Sequence, residues 1–292
     1  MNIVIVVPTI RPDVLNATFI PAWQAQINRY QARLLVVLDG DEPQVTEISN
    51  PKCNFKRKDL PKTERGLIFD HTDAVRNLGF LYVARYLPET DIILTLDDDV
   101  KPHADTIGDH VKALSSKVPI SWMPVGDHYT RGFPYAVREE ADVWVSHGVW
   151  NGIHDYDAPS QLVKGNPPMQ FYRGVIPKGT LAPICGMNLA FRMEALPLVY
   201  YAPMGKKIGY ERFADIWMGI ELKRDLDMRD KALVTGYSAV WHNRQSNVFQ
   251  NLIAESKGLA ANETYWKAPS PYRERHLLLR KRWLYVHQHK HG

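Results

Sequence analysis

The sequence predicts an α/β fold, an open sheet flanked by helices with a C-terminal helical tail, and three observations carry that prediction. Residues 2–7 read Asn-Ile-Val-Ile-Val-Val, a β-branched run of the kind found in a strand buried on both faces. Residues 91–96 form a second apolar run, and it ends in three consecutive carboxylates, Asp97, Asp98 and Asp99. Between the two runs, Val75, Leu78, Tyr82 and Tyr86 recur at helical spacing over residues 71–87, so strand and helix alternate. At 292 residues with 45% hydrophobic side chains, the chain has apolar material for one sizeable core.

The first strand ends at Pro8-Thr9-Ile10-Arg11-Pro12. In an open parallel sheet ligands sit beyond the carboxyl ends of the strands, so Thr9 and Arg11 are placed to touch a phosphate or nucleoside, unless the two prolines only punctuate a loop. A second strand over residues 33–38 delivers Asp39-Gly40-Asp41, where Asp39 reads as a partner for a base or ribose or as a turn builder. In the helix of residues 71–87, opened by Asp70 or Thr72, Arg76 either reaches a phosphate beside the helix N-terminus or pairs with Asp73 or Glu64.

Beyond Pro102 the pattern loosens into strand fragments, turns and aromatics, the composition of a substrate-side region. Residues 132–139 set Arg138 among aromatic and apolar neighbours. Residues 184–191 pair small residues with Asn188, which suits close backbone approach to a ligand. Residues 212–220 read as a helix with Phe213, Ile216, Trp217 and Ile220 on one face. Beside that face Asp215 reads as a general base, a group that orients a hydroxyl, or a charge at a helix start. Residues 232–241 are strand-like and deliver His242.

Three adjacent anions repel one another, so a cation or a hydrogen-bond network must hold the triplet. Asp97 and Asp99, with His242, are candidate ligands for a hard divalent ion, Mg2+ or Mn2+, and Asp98 is a further candidate contact to a bound cofactor. The plain alternative is an acidic loop, or a cap for the helix near Asp105.

Several classes are excluded. No apolar run reaches the ~18 residues of a bilayer-spanning helix, and the opening run is too short for a signal peptide, so the expectation is a cytoplasmic protein. Cys53 and Cys185 lack CxxC spacing and read as plain thiols. Neither GxGxxG nor GxxxxGK[ST] occurs, which removes the usual dinucleotide and P-loop fingerprints. The net charge of +4 is concentrated in Arg273, Arg275, Arg280, Lys281, Arg282 and Lys290, with Trp283 and Tyr285 interleaved. This reads as an amphipathic helix with a solvated basic face, ahead of a nucleic-acid or membrane-surface patch.

The strand ends, the acidic helix start and the late His resemble GT-A-type nucleotide-sugar glycosyltransferases. Several strings carry the likeness further: Pro8-Thr9-Ile10-Arg11, Leu96-Asp97-Asp98-Asp99, Phe133-Pro134-Tyr135, Val145-Ser146-His147-Gly148, Asp155-Tyr156-Asp157-Ala158-Pro159, Pro177-Lys178-Gly179-Thr180-Leu181 and Cys185-Gly186-Met187-Asn188-Leu189-Ala190-Phe191. They resemble the reversibly glycosylated polypeptides of plants, the family that contains the UDP-arabinopyranose mutases, from about residue 3 to about residue 258. The resemblance implies a GT-A-type mixed sheet over residues 1–258, a basic helical extension over 259–292, and a UDP-sugar site with Mn2+ or Mg2+ at the Asp triplet. It further implies interconversion of UDP-arabinopyranose and UDP-arabinofuranose without flavin. Arg138 matches the arginine that family members glycosylate, and Asp215 with Trp217 matches a second acidic motif in which Ala214 stands where the plant pattern has Asp.

On this reading Asp97, Asp99 and His242 hold the metal, Arg11 and Arg76 the diphosphate, and Asp39 the nucleoside, while Asp215 or Arg138 assists the ring rearrangement. Two alternatives share the donor site. One is a transferase with Asp215 as base, acting on an outside hydroxyl, conceivably on nucleic acid held by the basic tail. The other is a non-catalytic subunit that carries sugar on Arg138. A homo-oligomer is a further partner to test.

Overall fold

The two apolar runs become the middle of one mixed sheet. A computed structural model describes residues 1–126, 128–243 and 247–289, with backbone alone for residues 51–53. Lys290, named above, and the side chain of Cys53 lie outside the described part. The strands are β1 Ile3–Thr9, β2 Arg33–Leu38, β3 Gln44–Glu47, β4 Asn50–Lys56, β5 Ile92–Leu96, β6 Val100–Pro102, β7 Lys117–Val118, β8 Ala141–Gly152, β9 Gly174–Val175, β10 Asn188–Arg192 and β11 Ala232–His242. Their order is β4-β3-β2-β1-β5-β10-β8-β11-β6, with β7 on β8 and β9 on β11.

β1 runs parallel to β2 and β5, β10 is antiparallel to both β5 and β8, and β8 is parallel to β11. Two antiparallel steps restore direction, so β1, β2, β5, β8 and β11 end on one edge of the sheet. That edge carries Thr9, Asp39, Asp97 and His242. Arg138 precedes the start of β8 and therefore lies toward the opposite edge, a separation that no local motif could reveal.

Alternation along the strands divides the core. Val4 and Val6 of β1 face one apolar cluster, Ile3, Ile5 and Val7 the other, as a period of two requires. The helices are α1 Pro12–Val14, α2 Ile20–Tyr30, α3 Lys62–Arg65, α4 Arg76–Tyr86, α5 Thr106–Leu114, α6 Ala158–Lys164, α7 Ala214–Met228, α8 Val248–Tyr265 and α9 Pro271–Gln288. Trp23 of α2 and Ile107 of α5 cover one face; Leu78 of α4, Trp217 of α7 and Trp283 of α9 cover the other.

α4 is not amphipathic as its spacing predicts. Every residue from Arg76 to Val83 is buried, because the helix is sandwiched between the sheet and the segment around Tyr200 and Tyr201. It lies so close to the sheet that a Cβ on Gly79 would stand 2.7 Å from Val6 and 2.8 Å from Val37. Thr72, not Asp70, supplies the hydroxyl that accepts from a backbone N–H at its start. α7 begins two residues later than expected, since Arg212 has a left-handed φ of 64° that no helix can contain.

The boundary expected between residues 258 and 259 falls inside α8, and α9 packs into the same core. Trp283 is fully buried, and Tyr265 and Leu279 join it in the cluster that holds α4 and α7. Two of the tail's cations are paired inward, Arg273 with Glu221 at 2.9 Å and Arg280 with Asp225. The tail is thus part of the fold, with a basic outer face carried by Lys281 and Arg282. Among the described residues no helix is long and apolar enough to cross a membrane.

Emptying the Trp283 site tests this integration. Trp283→Ala is expected to lower unfolding stability by about 3–5 kcal/mol, the usual range for a fully buried Trp, measured by denaturant titration. A loss below about 1 kcal/mol would mean the tail is an appendage.

Candidate active site

Arg76 shows how the acidic triplet is held. Its side chain is fully buried, and all five guanidinium N–H groups are taken. Nε donates to the Asp73 carbonyl at 3.2 Å; Nη1 donates to Thr95 Oγ1 at 2.8 Å and the Gly186 carbonyl at 2.9 Å; Nη2 donates to Asp73 Oδ1 at 3.0 Å and Asp97 Oδ1 at 2.7 Å. The Tyr201 ring lies under the guanidinium at 4.8 Å. Arg76 therefore fixes Asp97 and has no donor left for a phosphate, which corrects the expectation that it grips one directly.

The other expected phosphate contacts are also turned inward. Thr9 Oγ1 donates to Asp98 at 2.5 Å, and Arg11 pairs with Asp98 and lies 3.7 Å from Asp99. Asp98 is buried beneath this pair, while Asp97 and Asp99 face a cleft of about 860 Å³. Asp39 accepts from the backbone N–H groups of Gly40 at 2.8 Å and His71 at 2.9 Å; burial raises its pKa against those bonds. It builds the loop that presents His71 to the cleft. Asn188 is fully buried, between His110 at 2.8 Å and the Val149 carbonyl at 3.2 Å, and orders the strands behind the site instead of meeting a ligand.

Asp215 does reach the cleft. At the start of α7 it accepts from Gly186 N–H at 2.8 Å and Ile216 N–H at 2.9 Å. Gly186 is required here, since a Cβ would stand 2.7 Å from the Tyr201 hydroxyl. The loop through Cys185 and Gly186 is consequently a hub: its carbonyl meets Arg76, its N–H meets Asp215, and the N–H of Cys185 donates to His147 Nε2 at 3.1 Å. Burial and the facing charge of Asp73 raise the Asp215 carboxyl to about 7. Burial raises Asp97 to about 7 as well, against the pull of Arg76; its side chain is 32% exposed, but only into the walled cleft.

Two titratable carboxyls near neutrality in one cleft at the carboxyl edge of an α/β sheet make this cleft the candidate site. Comparison with known proteins gives it a family. The reversibly glycosylated polypeptide family model matches residues 1–267. The chain belongs to this family. It is 34% identical over 278 residues to a probable UDP-arabinopyranose mutase 1 of Zea mays, covering 87% of this chain and 73% of the relative. It is 33% identical to UDP-arabinopyranose mutase 3 of Arabidopsis thaliana, covering 87% and 74%. It is 32% identical over 286 residues to a probable UDP-arabinopyranose mutase 2 of Solanum tuberosum, covering 90% and 74%.

In this family member, several cleft groups received no role from sequence. Within β8, His147 accepts from Cys185 through Nε2, so Nδ1 bears the proton and donates to Thr235 Oγ1 at 2.9 Å. Burial lowers its pKa to about 4, so it stays neutral. Cys185 Sγ donates to Asp155 at 3.7 Å, and burial pushes the thiol up. Trp217 stacks on Tyr265 at 4.8 Å and donates to Asn262 at 2.9 Å, a packing role. The strings containing these residues were visible, but the β8 register that turns His147 inward was not.

Arg138, by contrast, is remote from the cleft. Its guanidinium lies 3.8 Å from the Tyr135 ring and 4.7 Å from that of Tyr129, and it does not line the cavity. This placement takes it out of the ring-rearranging role expected from sequence.

His242 does line the cleft. Its Nδ1 lies 2.9 Å from the Ile153 carbonyl, and because a carbonyl only accepts, Nε2 keeps its lone pair. That arrangement suits a metal-binding His. Among the described residues, however, no group of three or more His, Cys, Asp or Glu side chains is arranged to hold a metal ion. Asp97, Asp99 and His242 therefore form no metal cage, and an ion beside the triplet would have to draw most of its ligands from a bound diphosphate, as Mg2+ commonly does.

The raised carboxyls give a pH test. Between about pH 4 and 7 the folded chain keeps protons on Asp97 and Asp215 that the unfolded chain releases, so these groups lower stability as pH rises. His110 and His147, lowered to about 4, act in the opposite sense and mask the effect. In Asp215→Asn the difference in melting temperature from the parent should therefore grow more favourable from pH 5 to pH 8. A difference that stays constant would show that Asp215 is an ordinary ionised carboxylate.

Proposed function

We propose that this chain is a UDP-arabinopyranose mutase-like enzyme that interconverts the pyranose and furanose forms of a UDP-linked sugar. The observation that carries the proposal is the pair Asp97 and Asp215, both raised to about 7 and both lining one cleft, in a chain whose relatives bear that name. Ring exchange needs a proton removed from the hydroxyl that becomes the new ring oxygen and a proton given to the ring oxygen that is released. Each of two carboxyls near neutrality is protonated part of the time, so one can accept a proton while the other donates one.

The chain's residues divide the task. Arg76 keeps Asp97 in place, and the N–H groups of Gly186 and Ile216 keep Asp215 in place. His147 and Cys185, both neutral, orient the loop between them. The apolar wall of Trp150, Phe171 and Ile184 limits water around a freed sugar, which must stay trapped until the same UDP recaptures it. Mg2+ or Mn2+ carried in with the diphosphate would meet Asp99 at the cleft wall. When bound there, the ion would offset negative charge developing on the leaving phosphate.

Incubation of the purified protein with UDP-arabinopyranose and Mn2+, with and without chelator, followed by chromatography of the nucleotide sugars, tests the proposal. The expected result is UDP-arabinofuranose without any acceptor, reduced by about 10²–10⁴-fold in Asp215→Asn and Asp97→Asn. UDP release seen only when an acceptor is added would replace the mutase with a transferase. Full activity in chelator would remove the metal.

A further inference from the structure

We infer that Arg212 is the residue that grips the diphosphate of the bound nucleotide, with Glu255 holding its guanidinium over the cleft; this rests on the UDP-sugar reading above. A nucleotide diphosphate brings two negative charges into a cleft lined by eight carboxylates, and among the described residues Arg212 is the one Lys or Arg that lines it. The cations expected from sequence to meet the diphosphate are committed elsewhere. Arg76 has every donor engaged, and Arg11 is turned onto Asp98 and Asp99.

Arg212 differs on each count. Its side chain is 43% exposed. Its hydrogen bond among the described residues runs from Nε to Glu255 Oε1 at 3.1 Å, which leaves the two terminal nitrogens for other partners. A guanidinium held by Nε and presenting its terminal fork suits bidentate capture of phosphate oxygens.

The residue is also held there at some expense. Its φ of 64° is a left-handed conformation that a residue with a side chain rarely adopts, and such strain persists where the surroundings enforce it. Glu255, only 5% exposed, anchors the guanidinium and also accepts from the Ala158 backbone N–H at 2.8 Å. The chain of contacts from Arg212 through α8 to the start of α6 fixes the guanidinium at the cleft wall. Asp155 lies on that side: burial raises its carboxyl, and the Arg212 charge is the first influence pulling it back.

Calorimetric titration with UDP, and with uridine as a probe lacking phosphate, tests the inference with Mg2+ present throughout. Arg212→Ala should weaken UDP binding by about 10- to 100-fold, the equivalent of one or two charge-assisted hydrogen bonds, and leave uridine binding unchanged. Arg229→Ala removes a cation from the far end of α7, where it meets only Asp225, and should leave UDP binding unchanged. UDP affinity unaltered in Arg212→Ala would overturn the inference. So would an equal loss for UDP and uridine, which would place Arg212 in the fold instead of on the phosphate. If the parent protein binds neither UDP nor uridine, the UDP-sugar reading falls and takes this inference with it. Arg212-dependent UDP binding without furanose formation would uphold the inference and remove the mutase alone.

Discussion

The site depends on one buried guanidinium. Arg76 sits where α4 begins, reaches across β5 to Thr95, and joins Asp73, Asp97 and Gly186. A charge with no solvent contact is tolerable only if every donor is satisfied and counter-charge lies close, and Arg76 meets both conditions. Because its partners come from the helix start, the β5 terminus and the loop before β10, those three elements cannot shift independently. Removing the guanidinium would leave the carboxylates of Asp73 and Asp97 without the cation they share, so this contact constrains the acidic cluster directly.

The same constraint makes the empty site electrostatically uncomfortable. Asp97 has its partner, but Asp215 is held only by backbone N–H groups beside the charge of Asp73. Two carboxyls pushed to neutrality, with Asp155 raised beside them, form a cleft that stabilises the folded chain poorly when fully ionised. Functional sites commonly carry such a burden. On the proposed function it has a chemical sense: groups that titrate near neutral pH exchange protons with a bound ligand more readily than carboxylates of ordinary acidity.

Much of this was legible in the sequence, and the rest was hidden for a definite reason. β2 was read to the residue and β11 to within one, because an apolar run bounded by turns needs only local information. The importance of Asp97, Asp99, Asp215 and His242 followed from their places at strand and helix ends, and all four line the cleft. What sequence could not show was partnership. Thr9 and Arg11 turn to Asp98, Arg76 exhausts its donors on protein groups, Asn188 meets a buried His110, and Arg138 lies toward the other edge of the sheet. Each outcome is decided by strand order and by contacts across roughly twenty to over one hundred residues. β8 escaped notice for a related cause. Its buried pattern is nearly continuous instead of alternating, and Gly148 at its centre reads as a breaker until Asn188 is seen crossing over it.

Topology also weighs between the two enzyme readings. α4 starts at the carboxyl edge of the sheet with Arg76 and runs back toward the other edge, where Arg85 near its end joins Glu64, Lys281, Arg282 and Tyr285 around a second groove. That groove shares no residue with the cleft of Asp97 and Asp215. A polyanion drawn to Lys281 and Arg282 would therefore gather apart from the cleft of Asp215, and two more of the tail's cations, Arg273 and Arg280, are already paired inward. A reaction that needs no outside acceptor has no such difficulty. It asks only that the cleft keep the sugar beside the UDP it came from, and that cleft shares no lining residue with the groove beside the basic tail.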